Sequence, residues 1–418
     1  MTEPDGKLYI QCDELRHWSV DKLRIRVVCY ILMLILLLTG SAVGEQSQPL
    51  AFDENGTFRV LLLADTQDTD NPQQAMLNLL NACLDQSEPD MVIFLGDMIH
   101  GPAIRGEENV QKAIDAIVQP VVQRGLPFAL VFGNHDEECG ISNERQMEIY
   151  HSYPGCLAVE GKEMPGCGNY CYVIENPAQP SSPLVFWFLD SGNHAEPGRG
   201  TYGYVKPEQN RWMLEELDGL KQTYASPISY VFQHIPVPQV YDMLLEVPFG
   251  TRGAVTCYGP RLFKWYKANP DYIWEGDIGE GPCSSDYDSG EFDTWKQMGV
   301  RAAFFGHDHL NNYCGTLNGI DLVATPGMGF YAYGRGGEHG ARLLTFHADN
   351  PSDWKSEMLY YRDVVSEPLP GLFIASLGVM IQTWVFIGVP VLLLLIVGLI
   401  LLLRSLRKNR KKKKHAPT

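Results

Sequence analysis

The sequence has no internal repeat at solenoid period and no low-complexity linker, which excludes repeat arrays and strings of tethered modules. Positive charge is scarce through the bulk of the chain. Residues 1–26 hold five basic and five acidic side chains, residues 404–414 hold eight basic and none acidic, and the stretch between holds 20 basic against 45 acidic. A body of net charge −25 repels a nucleic-acid backbone, so no nucleic-acid polymer is an expected partner. A second close cysteine pair is also missing beside Cys167 and Cys171, which disfavours structural zinc.

What is there describes a folded chain of 418 residues, 45% hydrophobic and 20% charged, too apolar for disorder. Two stretches carry no charge at all. Val27 to Gly44 follows Lys22, Arg24 and Arg26 and closes on Ala42 and Gly44, and reads as either a signal peptide or a signal-anchor helix. Leu372 to Leu403 exceeds the ~20 residues a spanning helix needs and runs into Arg404, Arg407, Lys408 and Lys411 to Lys414. The positive-inside rule then makes 404–418 a polybasic cytoplasmic tail, 372–403 a transmembrane segment and 1–26 a cytoplasmic segment. The body, 45–371, is expected outside the cytoplasm, on a plasma or secretory-pathway membrane, with the lipid bilayer as a partner. Its eight cysteines are an even number, so four bridges or buried free thiols both fit.

Within the body, short apolar runs alternate with amphipathic segments, the pattern of a layered α/β domain. Strands are expected at Arg59–Ala64, Met91–Leu95, Phe128–Phe132, Leu184–Leu189, Ser229–Phe232 and Arg301–Phe305. Helices are expected at Pro72–Gln86, Glu107–Arg124, Asn143–Tyr153 and Pro207–Leu220, and Asn318-Gly319 marks a hairpin turn. The strands end, in order, at Asp65, Asp97, Asn134-His135, Asp190, His234, and His307 with His309. Ligands of open α/β sheets gather at the carboxyl ends of strands, so these residues are expected to share one crevice. Gly96, Gly133 and Gly306 each precede a polar residue, where the lack of a Cβ lets backbone crowd a metal centre.

The set Asp65-Thr66-Gln67, Gly96-Asp97, Gly133-Asn134-His135-Asp136, Gln233-His234-Ile235-Pro236 and Gly306-His307-Asp308-His309 resembles the calcineurin-like metallophosphoesterase superfamily. The stretches Gln233 to Pro238 and Gly329 to Gly334 look like its purple-acid-phosphatase-like branch. The resemblance spans about residues 52–365. It implies a four-layer sandwich of two mixed β-sheets flanked by helices, with transmembrane helices outside it at both ends. It also implies two metal ions, of which Fe, Mn and Zn all suit carboxylate, amide and imidazole donors. Carried over by position, Asp65 and His309 would bind the first metal, Asp97 would bridge, and Asn134, His234 and His307 would bind the second. A hydroxide bridging the metals would then attack a phosphate ester, with His135 protonating the leaving oxygen and Asp136 orienting that imidazole.

One position departs from the pattern. The superfamily's first motif ends in histidine, whereas here it ends in Gln67, which either offers its amide oxygen or contacts only metal-bound water. His100, three residues after Asp97, is the rival ligand. Around the site, the loop from Asp190 to His194, the tyrosines Tyr331 and Tyr333, and the arginines Arg199, Arg335 and Arg342 are weaker candidates for contacting substrate; for both tyrosines packing is the favoured role. Three functions stay open: a membrane-tethered phosphoesterase, monoesterase before its diesterase or nucleotidase variant; a catalytically silent anchored binding module; and an adhesion or cell-envelope structural protein that happens to bind metal.

Overall fold

The computed structural model describes residues 49–161, 164–257, 259–369 and 389–414. The chain divides into Met1–Pro49 and Leu50–Thr418. The segments 1–26 and 27–44 lie outside the described residues.

The body begins with β1 (Thr57–Leu63), α1 (Gln74–Ser87), β2 (Met91–Leu95), α2 (Glu107–Val122) and β3 (Phe128–Val131). The three strands run parallel, as helical crossovers require. After α3 (Asn143–His151) come β4 (Tyr170–Ile174), β5 (Leu184–Leu189), α4 (Pro207–Leu220) and β6 (Ile228–Gln233). An excursion of β7 (Leu244–Val247), β8 (Val255–Thr256) and β9 (Trp265–Ala268) forms a small separate sheet. The chain continues with β10 (Ile273–Glu275), α5 (Glu291–Met298), β11 (Ala302–Phe305), β12 (Cys314–Leu317), β13 (Ile320–Ala324), β14 (Gly340–His347) and β15 (Trp354–Tyr360). Between β12 and β13, Asn318 and Gly319 both take positive φ (51° and 83°), the two-residue turn that the Asn-Gly pair announces.

Two larger sheets result, ordered β15-β14-β1-β2-β3 and β10-β12-β13-β11-β6-β5-β4, both mixed. They pack face to face through aromatic rings. Phe186 lies 6.4 Å from Phe58 and 5.6 Å from Phe346, and Tyr230 lies 4.9 Å from Phe346. The two-residue period of a strand sends neighbouring side chains to opposite faces. Phe186 and Phe188 of β5 therefore join the core between the sheets, while Val185, Trp187 and Leu189 join a second core with Trp212 and Met213 of α4 and Trp295 of α5. On the far side, Met76, Leu79 and Leu80 of α1 and Ile114 and Ile117 of α2 cover the five-stranded sheet. Four layers follow, and strands buried on both faces explain runs such as LVFWFL with no polar alternation. Trp187→Ala would leave a hole in the second core costing about 3–5 kcal/mol.

Several expectations are corrected here. The cap of α3 is Ser142, whose hydroxyl accepts from the Arg145 amide at 3.4 Å; Asn143 is the first helical residue. Cys83, Cys139, Cys156, Cys167, Cys257, Cys283 and Cys314 are thiols, five of them buried, so the disulfide framework gives way to packed cysteines. Of the expected C-terminal span, residues 372–388 lie outside the described residues, and the remainder begins a helix, Val389–Lys414. Its side chains from Val391 to Leu403 are exposed and apolar. That stretch rises only about 20 Å against a hydrocarbon core of about 30 Å. Among the described residues no helix is long and apolar enough to cross a membrane.

Candidate metal centre

The carboxyl ends of β1, β2 and β3 from one sheet and of β6 and β11 from the other meet around one cleft of about 680 Å³. The turns that leave these strands are tight. Asp65 (φ 49°), Gln67 (φ 36°), Asp97 (φ 48°) and His307 (φ 71°) all sit in the left-handed region, which costs a side-chain-bearing residue about 1–3 kcal/mol. Interlocking hydrogen bonds hold them there. The Asp65 amide donates to the Gly96 carbonyl (3.1 Å), Gln67 to the Asp97 carbonyl (3.0 Å), and His307 to Asp65 Oδ2 (3.0 Å). The glycines do what their positions suggest. A Cβ on Gly133 would stand 2.2 Å from Asp97 Oδ1, one on Gly96 2.5 Å from His234 Nδ1, and one on Gly306 2.7 Å from the Leu95 carbonyl.

Asp97 is the hub. Its Oδ1 accepts the His135 amide at 2.7 Å, and its Oδ2 faces His234 Nε2 at 3.2 Å. His234 donates Nδ1–H to the Leu95 carbonyl (2.7 Å), which turns Nε2 into the cleft, 3.2 Å from His307 Nδ1. On the other side, His309 donates from Nδ1 to the Tyr333 carbonyl (2.8 Å), aiming Nε2 at Asp65 Oδ1, 3.4 Å away. That last pair is an ion-pair contact and leaves Asp65 Oδ1 without a hydrogen bond. Burial opposes charge on these imidazoles, yet the carboxylates prevail and push His234 up to about 10 and His309 up to about 9. Burial likewise opposes charge on Asp97, and the His234 charge overcomes it, holding that carboxyl well below the usual range.

Whether the residues suit metal ions can be tested on the polar atoms left over. Asp65 Oδ1, Gln67 Oε1, Asn134 Oδ1 and His307 Nε2 are buried and make no hydrogen bond, and His100 Nδ1 is a fifth. A buried polar atom without a partner costs about 1–3 kcal/mol; others lie elsewhere in the body, but Gln67, His100, Asn134 and His307 line one cleft, which a ligand-binding role explains. Asp97, His234 and His307 also bring donor atoms within 4.8 Å of one another. The donor set fits metal ions that take mixed oxygen and imidazole ligands. Gln67 and His100 both line the cleft, so both candidates for the departing position are placed at the site.

His135 lies at the cleft, but Asp136 does not orient it. Asp136 is fully buried and turned away, accepting the Gly133 amide at 2.8 Å and the Ile99 amide at 3.1 Å. Burial, reinforced by the Asp97 charge, pushes its carboxyl up to about 7. Asp136 thus ties together the two loops that carry Asn134 and Asp97, a structural task. The partner of the His135 ring is Glu138, whose Oε2 contacts Nδ1. Residues 136–139 form a 3-10 turn, in which residues three apart lie on one face, so His135 and Glu138 meet.

Other expectations sort cleanly. Asp190 is buried and accepts the Cys167 and Gly192 amides at 2.7 Å each, and only His194 of its loop lines the cleft. Tyr331 and Tyr333 are 38% and 46% exposed and line the cleft, contrary to a packing role alone. Tyr333 also stacks on His309 at 4.4 Å. Arg342 is wholly buried, bonded to the Asn312 and Ala324 carbonyls at 2.9 Å each, and neither it nor Arg199 nor Arg335 lines the cleft. Sequence reasoning missed Glu138, whose spacing from His135 was the available signal, and Tyr202, whose ring meets His307 edge-on at 4.6 Å without any local signal.

Residues 58–311 match the calcineurin-like phosphoesterase family; the chain belongs to that family. Its relatives set it in the purple-acid-phosphatase-like branch. It is 29% identical over 329 residues to the probable inactive purple acid phosphatase 28 of Arabidopsis thaliana, covering 70% of this chain and 75% of that one. It is 28% identical over 264 residues to phosphatase DCR2 of Saccharomyces cerevisiae, covering 61% of this chain and 41% of that one. Among solved structures, a purple acid phosphatase from yellow lupin seeds aligns with a TM-score of 0.39 at 15% identity, over 78% of this chain and 58% of that one.

Proposed function

We propose that the chain is a metal-dependent phosphoesterase that hydrolyses phosphate esters, monoesters before diesters, using two ions drawn from Fe, Mn and Zn. The observation that carries this is the convergence of Asp65 Oδ1, Gln67 Oε1, Asn134 Oδ1 and His307 Nε2, none of them hydrogen-bonded, beside the paired His135. Asp65, Gln67 and His309 would hold one ion, Asn134, His234 and His307 the other, with Asp97 between them. Bound there, the ions would supply Lewis acidity, activating water and offsetting charge on the phosphoryl oxygens. The chain's own residues supply the rest. The His135 amide pins Asp97, the Leu95 and Tyr333 carbonyls fix which nitrogen His234 and His309 present, and Glu138 holds His135 so that Nε2 can deliver a proton to the departing oxygen. The preference for monoesters draws support from the yeast relative, which is named a phosphatase.

The apolar run 372–403 and the basic cluster after it support a membrane-tethered chain with its catalytic domain outside the cytoplasm and its tail inside. A second reading, a catalytically silent binding module, is favoured by Gln67 standing where the family carries histidine and by the plant relatives being named inactive. Metal content together with turnover of phenyl phosphate and bis-p-nitrophenyl phosphate separates them. Two ions per chain with monoester turnover is the expected result; ions without any turnover would leave the silent module standing.

A further inference from the structure

No lysine or arginine lines the cleft among the described residues. The arginines on its flanks are engaged elsewhere. Arg335 binds Asp277 at 2.7 Å and the Leu310 carbonyl at 3.1 Å, and Arg105 donates to the Gly101 and Ile104 carbonyls at 2.8 and 2.6 Å. Arg199 and Arg261 lie over the rings of Tyr287 and Tyr241, at 4.1 and 3.9 Å. Acidic side chains contact residues of the lining instead: Glu138 meets the His135 ring, and Glu280 accepts the Tyr333 hydroxyl at 2.9 Å.

Three tyrosines stand in a lining otherwise made mostly of histidines and small polar side chains. Tyr331 lies 4.8 Å from the His100 ring, and with Tyr202 and Tyr333 it gives the cleft flat, weakly polar faces. A phosphate at the metal centre has its charge met by cations. A second phosphate on the same molecule would find no guanidinium or ammonium in that lining to pair with, while Glu138 and Glu280 stand against lining residues. A ring would find faces to stack on.

We propose that this cleft selects esters carrying one phosphate on an uncharged, aromatic ring-bearing leaving group and discriminates against esters carrying a second phosphate. This rests on the phosphoesterase reading and narrows its substrate class. It is tested on the full-length, Mn-loaded chain by comparing kcat/KM for AMP and adenosine 3′,5′-bisphosphate, which share the adenosine skeleton but leave as adenosine and as a nucleoside monophosphate respectively. AMP is expected to be preferred at least tenfold at low salt, with the gap narrowing as salt screens the repulsion. Tyr331→Lys, which puts a cation in the wall, narrows the gap at constant salt, and Tyr331→Ala raises KM for phenyl phosphate more than for glycerol 2-phosphate.

Equal rates for the two nucleotides, or a ratio that Tyr331→Lys leaves unmoved, would overturn the selectivity. Absence of turnover for every ester counts against hydrolysis itself, and the selectivity is then read from calorimetric binding of the same two nucleotides. Equal affinities there overturn it as well.

Discussion

Glu138 holds the Nδ1 side of the His135 imidazole, three residues along the same turn, and so directs Nε2 toward the cleft. Both side chains are 35% exposed, so the pair contributes little to folding and its value lies in orientation. Glu138→Gln is expected to slow hydrolysis of alkyl phosphates by roughly 10²-fold, the scale of general acid catalysis, while p-nitrophenyl phosphate, whose leaving group needs no proton, slows far less. The ratio of the two rates in the variant is the measurement.

Asp97→Asn keeps an oxygen for the His135 amide but removes the charge shared with His234. Both ions should be lost or weakly held, with turnover reduced on the order of 10³-fold, matching the several kcal/mol a Lewis-acid centre supplies. Elemental analysis of the purified variant beside wild type checks it, and an unchanged circular dichroism spectrum keeps the loss separate from misfolding.

Gln67 offers a neutral amide oxygen where imidazole would bind more strongly. Gln67→His should raise affinity for the more weakly held ion by about 10- to 100-fold. Competition against a chelator reads this directly, and an unchanged affinity would transfer the role to His100.

Glu291 opens α5 fully buried, with Oε1 unpartnered, and burial raises its carboxyl well above the usual value. The folded chain keeps a proton that the unfolded chain releases above about pH 4.5. Stability therefore falls as pH climbs from there until the folded pKa is reached. Glu291→Gln removes that slope. Its thermal midpoint should exceed wild type at pH 7 and match it near pH 4.

Much of the site was legible because its signals are short and covalently local. MVIFL followed by Gly-Asp, and FALVF followed by Gly-Asn-His, give both a strand and the residue at its end, and the six expected strands fall within two residues of those observed. Side-chain direction was not legible. Asp136 adjoins His135 in sequence, but the 3-10 turn sends it toward the Gly133 and Ile99 amides and brings Glu138 round instead. The sheet β7-β9-β8 escaped notice because its strands are two to four residues long and half exposed, with no alternation to read. Tyr202 reaches His307 across 105 positions of chain, a closeness only the assembled sandwich creates.

The proposed ligands come from both sheets: Asp65, Asp97 and Asn134 from the turns after β1, β2 and β3, and His234, His307 and His309 from those after β6 and β11. No half of the chain can assemble the cradle by itself, and His309 emerges from the ribosome long after Asp65. Metal capture would then be a late act of maturation. A chain that stalls before the sheets dock would stay unmetallated, and each ion held by these residues would act as a rivet across the seam, making protease resistance of the seam a gauge of metal supply.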